Sequence, residues 1–413
     1  MLIGDFHIHG KYARACSTNT TIGLLEKNAR LKGIDVLGTG DMQHPLWNTE
    51  ILNNLKEDEN GILWSKTKFP FIWQTEISLM YSHNGRGRRI HHVVLAPSKD
   101  VVKQIIDALL KKGRLDYDGR PIFGINSIEF VDMMRSISTD IEIIPGHVWT
   151  PFFGLFGSKT GFDTVEECFE ERSKYIHALE TGMSSDIIMN RRYSKLDKYN
   201  LVSFSDAHSS HPWRMGREAT LFDVKNLTYK NILNAIRTGK GLVGTIEVNP
   251  AYGKYHVDGH RNCDVKLGFE ESKRLNRICP KCKHELTIGV EYRIEELADR
   301  PKEYRHKDQP GFHMLTPLHE LIASLYNITN PASKKVWGIY NAGVKKFGNE
   351  FNIAMKADLK SLNEVFNPKL SELIVKDREG KTRVEPGYDG VYGKVILSNE
   401  ERIDNKQKSL SEF

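Results

Sequence analysis

The sequence predicts an α/β fold: a seven-stranded (β/α) barrel, then a small module carrying three cysteines, then a mostly helical C-terminal domain. Three observations carry this. Short apolar runs alternate with amphipathic helical patterns over the first 245 residues; polar residues sit at the C-terminal ends of those runs; and Cys263, Cys279 and Cys282 fall within twenty residues just beyond them.

The strand-like runs cover residues 2–9, 34–40, 69–76, 90–96, 141–147, 176–182 and 201–206, with amphipathic stretches such as 21–32 and 101–112 between them. A repeated β-then-α order predicts parallel strands joined by right-handed crossovers, and seven of them suggest closure into a barrel. In such a barrel the C-terminal strand ends converge on one rim. His7 and His9, Asp41, Glu76, His92, His147, and Asp206 with His208 all sit in or just after these runs. Beyond residue 245 the chain divides into 246–300, short and polar, and 301–406, mostly helical, with 407–413 as a tail.

At 413 residues the chain is too long for one ordinary core. No stretch approaches the apolar length of a membrane span, and no charged-then-apolar leader opens the sequence, which predicts a cytoplasmic protein with no membrane partner. The net charge of +6 is spread evenly, with an excess of three basic side chains on either side of residue 245. Nucleic-acid binding is therefore allowed but not demanded. Five cysteines, an odd number, argue against a disulfide framework and turn attention to metal.

His7-Ile8-His9 puts two imidazoles on one face of a strand, because side chains repeat every second residue. Asp206-Ala207-His208 repeats the geometry with a carboxylate first. Glu76 and His147 are further ligand sources, and a carboxylate such as Glu76 can bridge two ions. His91 and His92 alternate faces, so only one points inward; His92 is favoured. His44 is a further candidate or a turn cap before Pro45. Adjacent divalent ions (zinc, manganese or magnesium) polarise phosphoryl oxygens and acidify water, which is phosphoester chemistry. Glu76, Asp206 and His208 are the residues expected to be catalytic. Arg192, Arg214 and Arg217 are candidates for holding phosphate.

Taken together, His7-Ile-His9, Thr39-Gly-Asp41, Thr75-Glu76, His91-His92, Pro145-Gly-His147 and Ser205-Asp-Ala-His208 resemble the polymerase-and-histidinol-phosphatase (PHP) superfamily. The resemblance implies a seven-stranded distorted barrel with a multi-metal phosphoesterase site. One ion would take His7, His9, Glu76 and Asp206. A second would share Glu76 and take His92 and His147. A third would take Asp41 and His208.

Cys279-Pro-Lys-Cys282 is half of a zinc knuckle, and Cys263 with His260 supplies the other half, with His256 as the alternative. A closed four-ligand site reads as one structural zinc. The stretches Tyr255 to Cys263, Ile278 to Cys282 and Leu286 to Arg300, with Gly38-Thr-Gly-Asp-Met-Gln-His-Pro45, resemble the endonuclease Q family along nearly the whole chain. That resemblance implies a DNA repair endonuclease that nicks on the 5′ side of deaminated bases (uracil, hypoxanthine, xanthine) and abasic sites. It implies damaged DNA as the partner and a lesion turned out of the stack. Tyr388, Tyr392, Trp149, Phe152 and Phe153 are candidate base contacts. A PHP-type small-molecule phosphatase is the alternative, disfavoured by the extra domains. Finally, Gln407, Leu410 and Phe413 resemble a peptide that docks on the sliding clamp PCNA.

Overall fold

A computed structural model describes residues 1–307, 310–398 and 401–403. The predicted clamp-binding residues Gln407, Leu410 and Phe413 lie outside the described residues.

The fold is mixed α/β around a large central sheet of eleven strands. The strands Leu2–Asp5, Val36–Gly38 and Pro70–His83 run parallel in that order, as the alternating pattern predicts. The helix between the first two, Ile22–Lys32, starts where Thr21 accepts a hydrogen bond from the Leu24 N–H and stops at Gly33, whose φ of 98° ends the turn. The remaining pairings depart from an all-parallel arrangement. Ala219–Phe222 adds an antiparallel strand beside Leu2–Asp5, and Leu242–Glu247 pairs antiparallel with Ala219–Phe222 in turn. Pro70–His83 and Arg86–Ala96 form a long antiparallel hairpin. Its two-residue turn is Asn84-Gly85, both at positive φ, which matches the right-handed twist of the arms. Glu142–Pro145 extends that hairpin, and Ala178–Glu180 pairs with Asn200–Val202 in a separate parallel ribbon.

Two apolar clusters fill the N-terminal half, one of them centred on Phe6, Ile72, Val93 and Phe204 between sheet and helices. The C-terminal helices Leu318–Leu325, Lys334–Phe347, Leu359–Asn363 and Pro368–Arg378 form a core of their own. The strand Gly311–Met314, from the segment expected to be mostly helical, instead joins the main sheet beside Leu242–Glu247. The cysteine region has a small core of six buried side chains. Among the described residues no helix is long and apolar enough to cross a membrane.

Candidate metal centre and cavity

The strand ends deliver ligands as follows. Beyond Leu2–Asp5 the chain makes a parallel bridge between Ile8 and Ala207, with the His9 N–H donating to the Ala207 carbonyl (3.0 Å). This zips His7-Ile8-His9 to Asp206-Ala207-His208. Asp5, wholly buried, accepts from the Ser205 N–H and hydroxyl and from the Gly216 N–H, while Arg217 donates to the Ser205 carbonyl. Asp206 is thereby held at φ 48°. Asp41 and His147 also sit at positive φ, 38° and 29°. Three non-glycine residues in that sparsely allowed region, each just past a strand, mark a site where backbone strain is tolerated for function.

Glu76 lies at the centre, fully buried. Its Oε1 is 2.7 Å from His91 Nδ1, 3.2 Å from His147 Nε2 and 3.4 Å from His7 Nε2; its Oε2 is 3.2 Å from His9 Nε2. Asp206 Oδ1 lies 3.2 Å from His9 Nε2 and 3.6 Å from His7 Nε2. Two ligand groups result, His7–His9–Glu76–Asp206 and Glu76–His91–His147, sharing Glu76. Burial resists ionisation of Glu76, but His91, His7 and Arg120 around it hold its carboxyl well below the usual range. Burial also pushes His91 down to about 4, so it is a neutral ligand at neutral pH.

The donor set fits divalent ions. His7 Nε2 is buried without a hydrogen-bond partner, while its Nδ1 is taken by Glu180 Oε1 (2.8 Å). His9 Nδ1 is taken by Asp41 Oδ1 (2.9 Å) and His147 Nδ1 by the Thr150 hydroxyl (2.9 Å). A partner on Nδ1 fixes each ring with its Nε2 turned toward Glu76, as metal-ligating histidines require.

Several expectations are corrected by this geometry. His91, not His92, faces the centre. In the hairpin His91 lies opposite Ser78, two residues from Glu76 and so on its face, whereas His92 lies opposite Ile77 on the other face. There His92 bonds the Ser127 hydroxyl (3.3 Å) and stacks on Phe130. Asp41 and His208, expected to hold a third ion, lie outside these two groups of three or more ligands, which leaves that expectation standing. Each Asp41 oxygen takes one contact, from His9 Nδ1 and from the Gly10 N–H (2.6 Å), so Asp41 steadies the His9 ring from behind. His208 holds the Asp206 carbonyl with Nδ1 (3.0 Å). His44 stacks on Tyr12 at the start of helix Pro45–Asn54 and binds nothing in the centre.

Two residues have no counterpart in the sequence reading. Glu180 receives His7 on one oxygen and the His147 N–H (2.6 Å) on the other; its signal was a lone acid in an apolar strand. Arg120 donates from Nη1 to Glu76 Oε2 (3.2 Å) from a loop with no motif of its own.

The centre opens into a cavity of about 630 Å³ whose wall includes Arg14, Arg120, His208, Arg214, Lys254, Phe152, Tyr255 and Tyr392. Phe152, Arg214 and Tyr392 are thus placed as candidates for substrate contact, and Phe153 packs on His91. Trp149 and Arg192 are not. Trp149 is buried and donates to Asn190 Oδ1 (2.8 Å); Arg192 is clamped by both oxygens of Glu295 (2.7 and 2.8 Å). Tyr388 donates to Asp264 (2.6 Å) and packs over Gly259, bracing the cysteine module.

In that module His260, Cys263, Cys279 and Cys282 form a third ligand group, and His256 is not part of it. Burial opposes ionisation of Cys279, but the N–H groups of Cys282 and Lys281 outweigh it and bring the thiol down to about 6. Three cysteine sulfurs and an imidazole gathered in this way suit a soft divalent ion.

The family described as "MJ0043 C-terminal domain" matches residues 317–381. The uncharacterized protein MJ0043 of Methanocaldococcus jannaschii is 33% identical over 79% of this chain, which spans only 41% of that relative's length. The uncharacterized protein YqxK of Bacillus subtilis is 27% identical over 95% of this chain and 99% of its own. Among solved structures, the lesion-specific endonuclease PfuEndoQ from Pyrococcus furiosus superimposes with a TM-score of 0.85 at 29% identity, covering 100% of this chain and 99% of its own. The chain is a full-length structural relative of endonuclease Q. A second endonuclease Q structure, a complex with a 27-mer duplex substrate holding an abasic lesion at the active site, matches with a TM-score of 0.86 at 29% identity, covering 98% and 99%. The likeness to endonuclease Q thus includes the cysteine module and the C-terminal helices, not the metal centre alone.

Proposed function

We propose that this chain is a metal-dependent DNA repair endonuclease that hydrolyses the phosphodiester 5′ of deaminated bases (uracil, hypoxanthine, xanthine) and abasic sites. The observation that carries the reading is the whole-length likeness to an endonuclease Q bound to an abasic duplex. The chemistry of the cavity supports it. A cluster of imidazoles and carboxylates on the floor suits phosphoester hydrolysis, and arginines, Lys254 and aromatic rings on the wall suit a phosphate backbone and an unstacked base.

Divalent ions bound by His7, His9, Glu76 and Asp206 and by Glu76, His91 and His147 would polarise the phosphoryl oxygens and acidify the attacking water. Glu180, Asp41 and Thr150 hold the three ligand rings in one tautomer and orientation, so the reacting phosphate meets a preset geometry. His208, partly exposed on the cavity wall beside Asp206, would relay a proton to the leaving oxygen. Phe152 and Tyr392 offer faces on which an extruded nucleotide can stack. One structural zinc on His260, Cys263, Cys279 and Cys282 would hold the module that carries Lys254 and Tyr255 to the cavity. The tail residues Gln407, Leu410 and Phe413 remain our candidate for docking on a sliding clamp such as PCNA.

A small-molecule phosphatase would use the same metals but has no use for a wall that also draws on Lys254, Tyr255 and Tyr392 from beyond residue 245. The test uses manganese or magnesium with labelled duplexes carrying one uracil, hypoxanthine or abasic site, and an undamaged control. Nicking 5′ to the lesion is expected; release of phosphate from monoesters without nicking would overturn the reading.

A further inference from the structure

We infer that Arg120 is the residue that grips the scissile phosphate, an inference that rests on the endonuclease reading above. The loop that bears it is built to hold it. Leu115 is buried in the core, and Pro121 is fixed by the Ser78 N–H (3.0 Å) at the edge of the hairpin. Asp118 Oδ1 accepts from the backbone N–H of both Arg14 and Arg120 (3.1 and 3.0 Å). The Gly119 N–H donates to the Tyr12 carbonyl (3.1 Å), and its carbonyl accepts from Gln43 Nε2 (2.6 Å). A Cβ at Gly119 would lie 2.3 Å from Asp41 Oδ2, so only glycine lets the loop come this close to the metal centre.

At the tip, the Arg120 guanidinium makes one hydrogen bond among the described residues, to Glu76. The other donors of its planar fork have no protein acceptor there, and it lines the cavity. Charge explains why that matters. Four carboxylates, Glu76, Asp206, Asp41 and Glu180, contact the ligand imidazoles. Two divalent ions balance those four charges, which leaves Arg120 as a surplus cation beside the shared carboxylate. A guanidinium there matches the geometry of two phosphate oxygens, as a fork that lysine lacks.

The alternative role, simply holding Glu76 for the metals, is separable. Manganese and then inorganic phosphate are titrated calorimetrically into wild-type, Arg120→Ala and Arg120→Lys full-length protein, followed by single-turnover cleavage of an abasic duplex. For Arg120→Ala, manganese affinity should hold or rise, because a competing cation beside Glu76 is gone. Phosphate should bind about tenfold more weakly to the manganese-loaded protein, the worth of a charge-assisted hydrogen bond. Cleavage should fall about 100-fold, as when a transition-state donor is removed, with Arg120→Lys in between. Unchanged phosphate affinity overturns the inference. So does weakened manganese binding with cleavage restored by excess manganese. If wild type nicks no lesion-bearing duplex, the endonuclease reading fails, while the phosphate titration still decides Arg120.

Discussion

The two places where ligand atoms gather in this molecule are built in opposite ways. The rim draws Glu76 and His91 from mid-hairpin and His7, His9, His147 and Asp206 from just beyond strands, with His9 and Asp206 197 residues apart, and braces them with carboxylates and a hydroxyl. The cysteine group draws all its ligands from residues 260 to 282, over a core of six buried side chains. The rim's shape is fixed by a sheet that folds for its own reasons. The module has only that small core behind its ligands, so a bound ion would add most to its folding. An open, preorganised centre can therefore spend its ions on chemistry, while a closed local one spends its ion on folding.

This contrast can be broken at either end. The largest effect is expected from Glu76→Ala, which removes the carboxylate common to both rim groups. Cleavage should fall by about 1,000-fold or more, a barrier increase of about 4 kcal/mol, with an unchanged circular dichroism spectrum and Tm. A large loss of Tm would show that the rim is not preformed. Cys279→Ser should do the reverse. One zinc should disappear from elemental analysis, and the module should become protease-sensitive with a loss of several kcal/mol. Near-wild-type protease resistance would show that the module needs no metal.

Adjacent residues sharpen the comparison further. His91→Ala should cost about 100-fold in activity with little change in stability. His92→Ala, stacked on Phe130 beside Phe169, should cost about 3 kcal/mol of stability. Paired kinetics and denaturant melts check both, and equal effects at the two positions would refute the assignment of faces. The smallest effect concerns Glu218, behind the rim. Burial raises its carboxyl to about 8, against 4.5 in the unfolded chain. Between these values the folded state keeps a proton that the unfolded state has lost, so stability falls as pH rises. Glu218→Gln should flatten that fall in Tm between pH 5 and pH 9; identical pH profiles would show that Glu218 does not carry it.

Legibility varied with how local each signal was. Thr21 and Gly33 mark a helix in any context, and the cysteine spacing makes a knuckle wherever the chain turns. The choice between His91 and His92 needed the strand register. That register follows from the Asn84-Gly85 turn, a local signal that strand alternation alone does not use. Trp149 and Arg192 have the right chemistry for DNA contacts, but nothing local reveals the Asn190 and Glu295 that occupy them.

The sequence by itself determined which side chains could bind metal, since imidazole, thiolate and carboxylate carry that capacity wherever they are placed. It also determined the alternation of strand and helix, because side-chain periodicity is local. The tertiary structure decided which of those groups meet. It turned Asp41 into a brace, brought Glu180 and Arg120 to the centre and set His91 inward. Those outcomes depend on register, crossover and loop anchoring, which are settled only when distant segments pack.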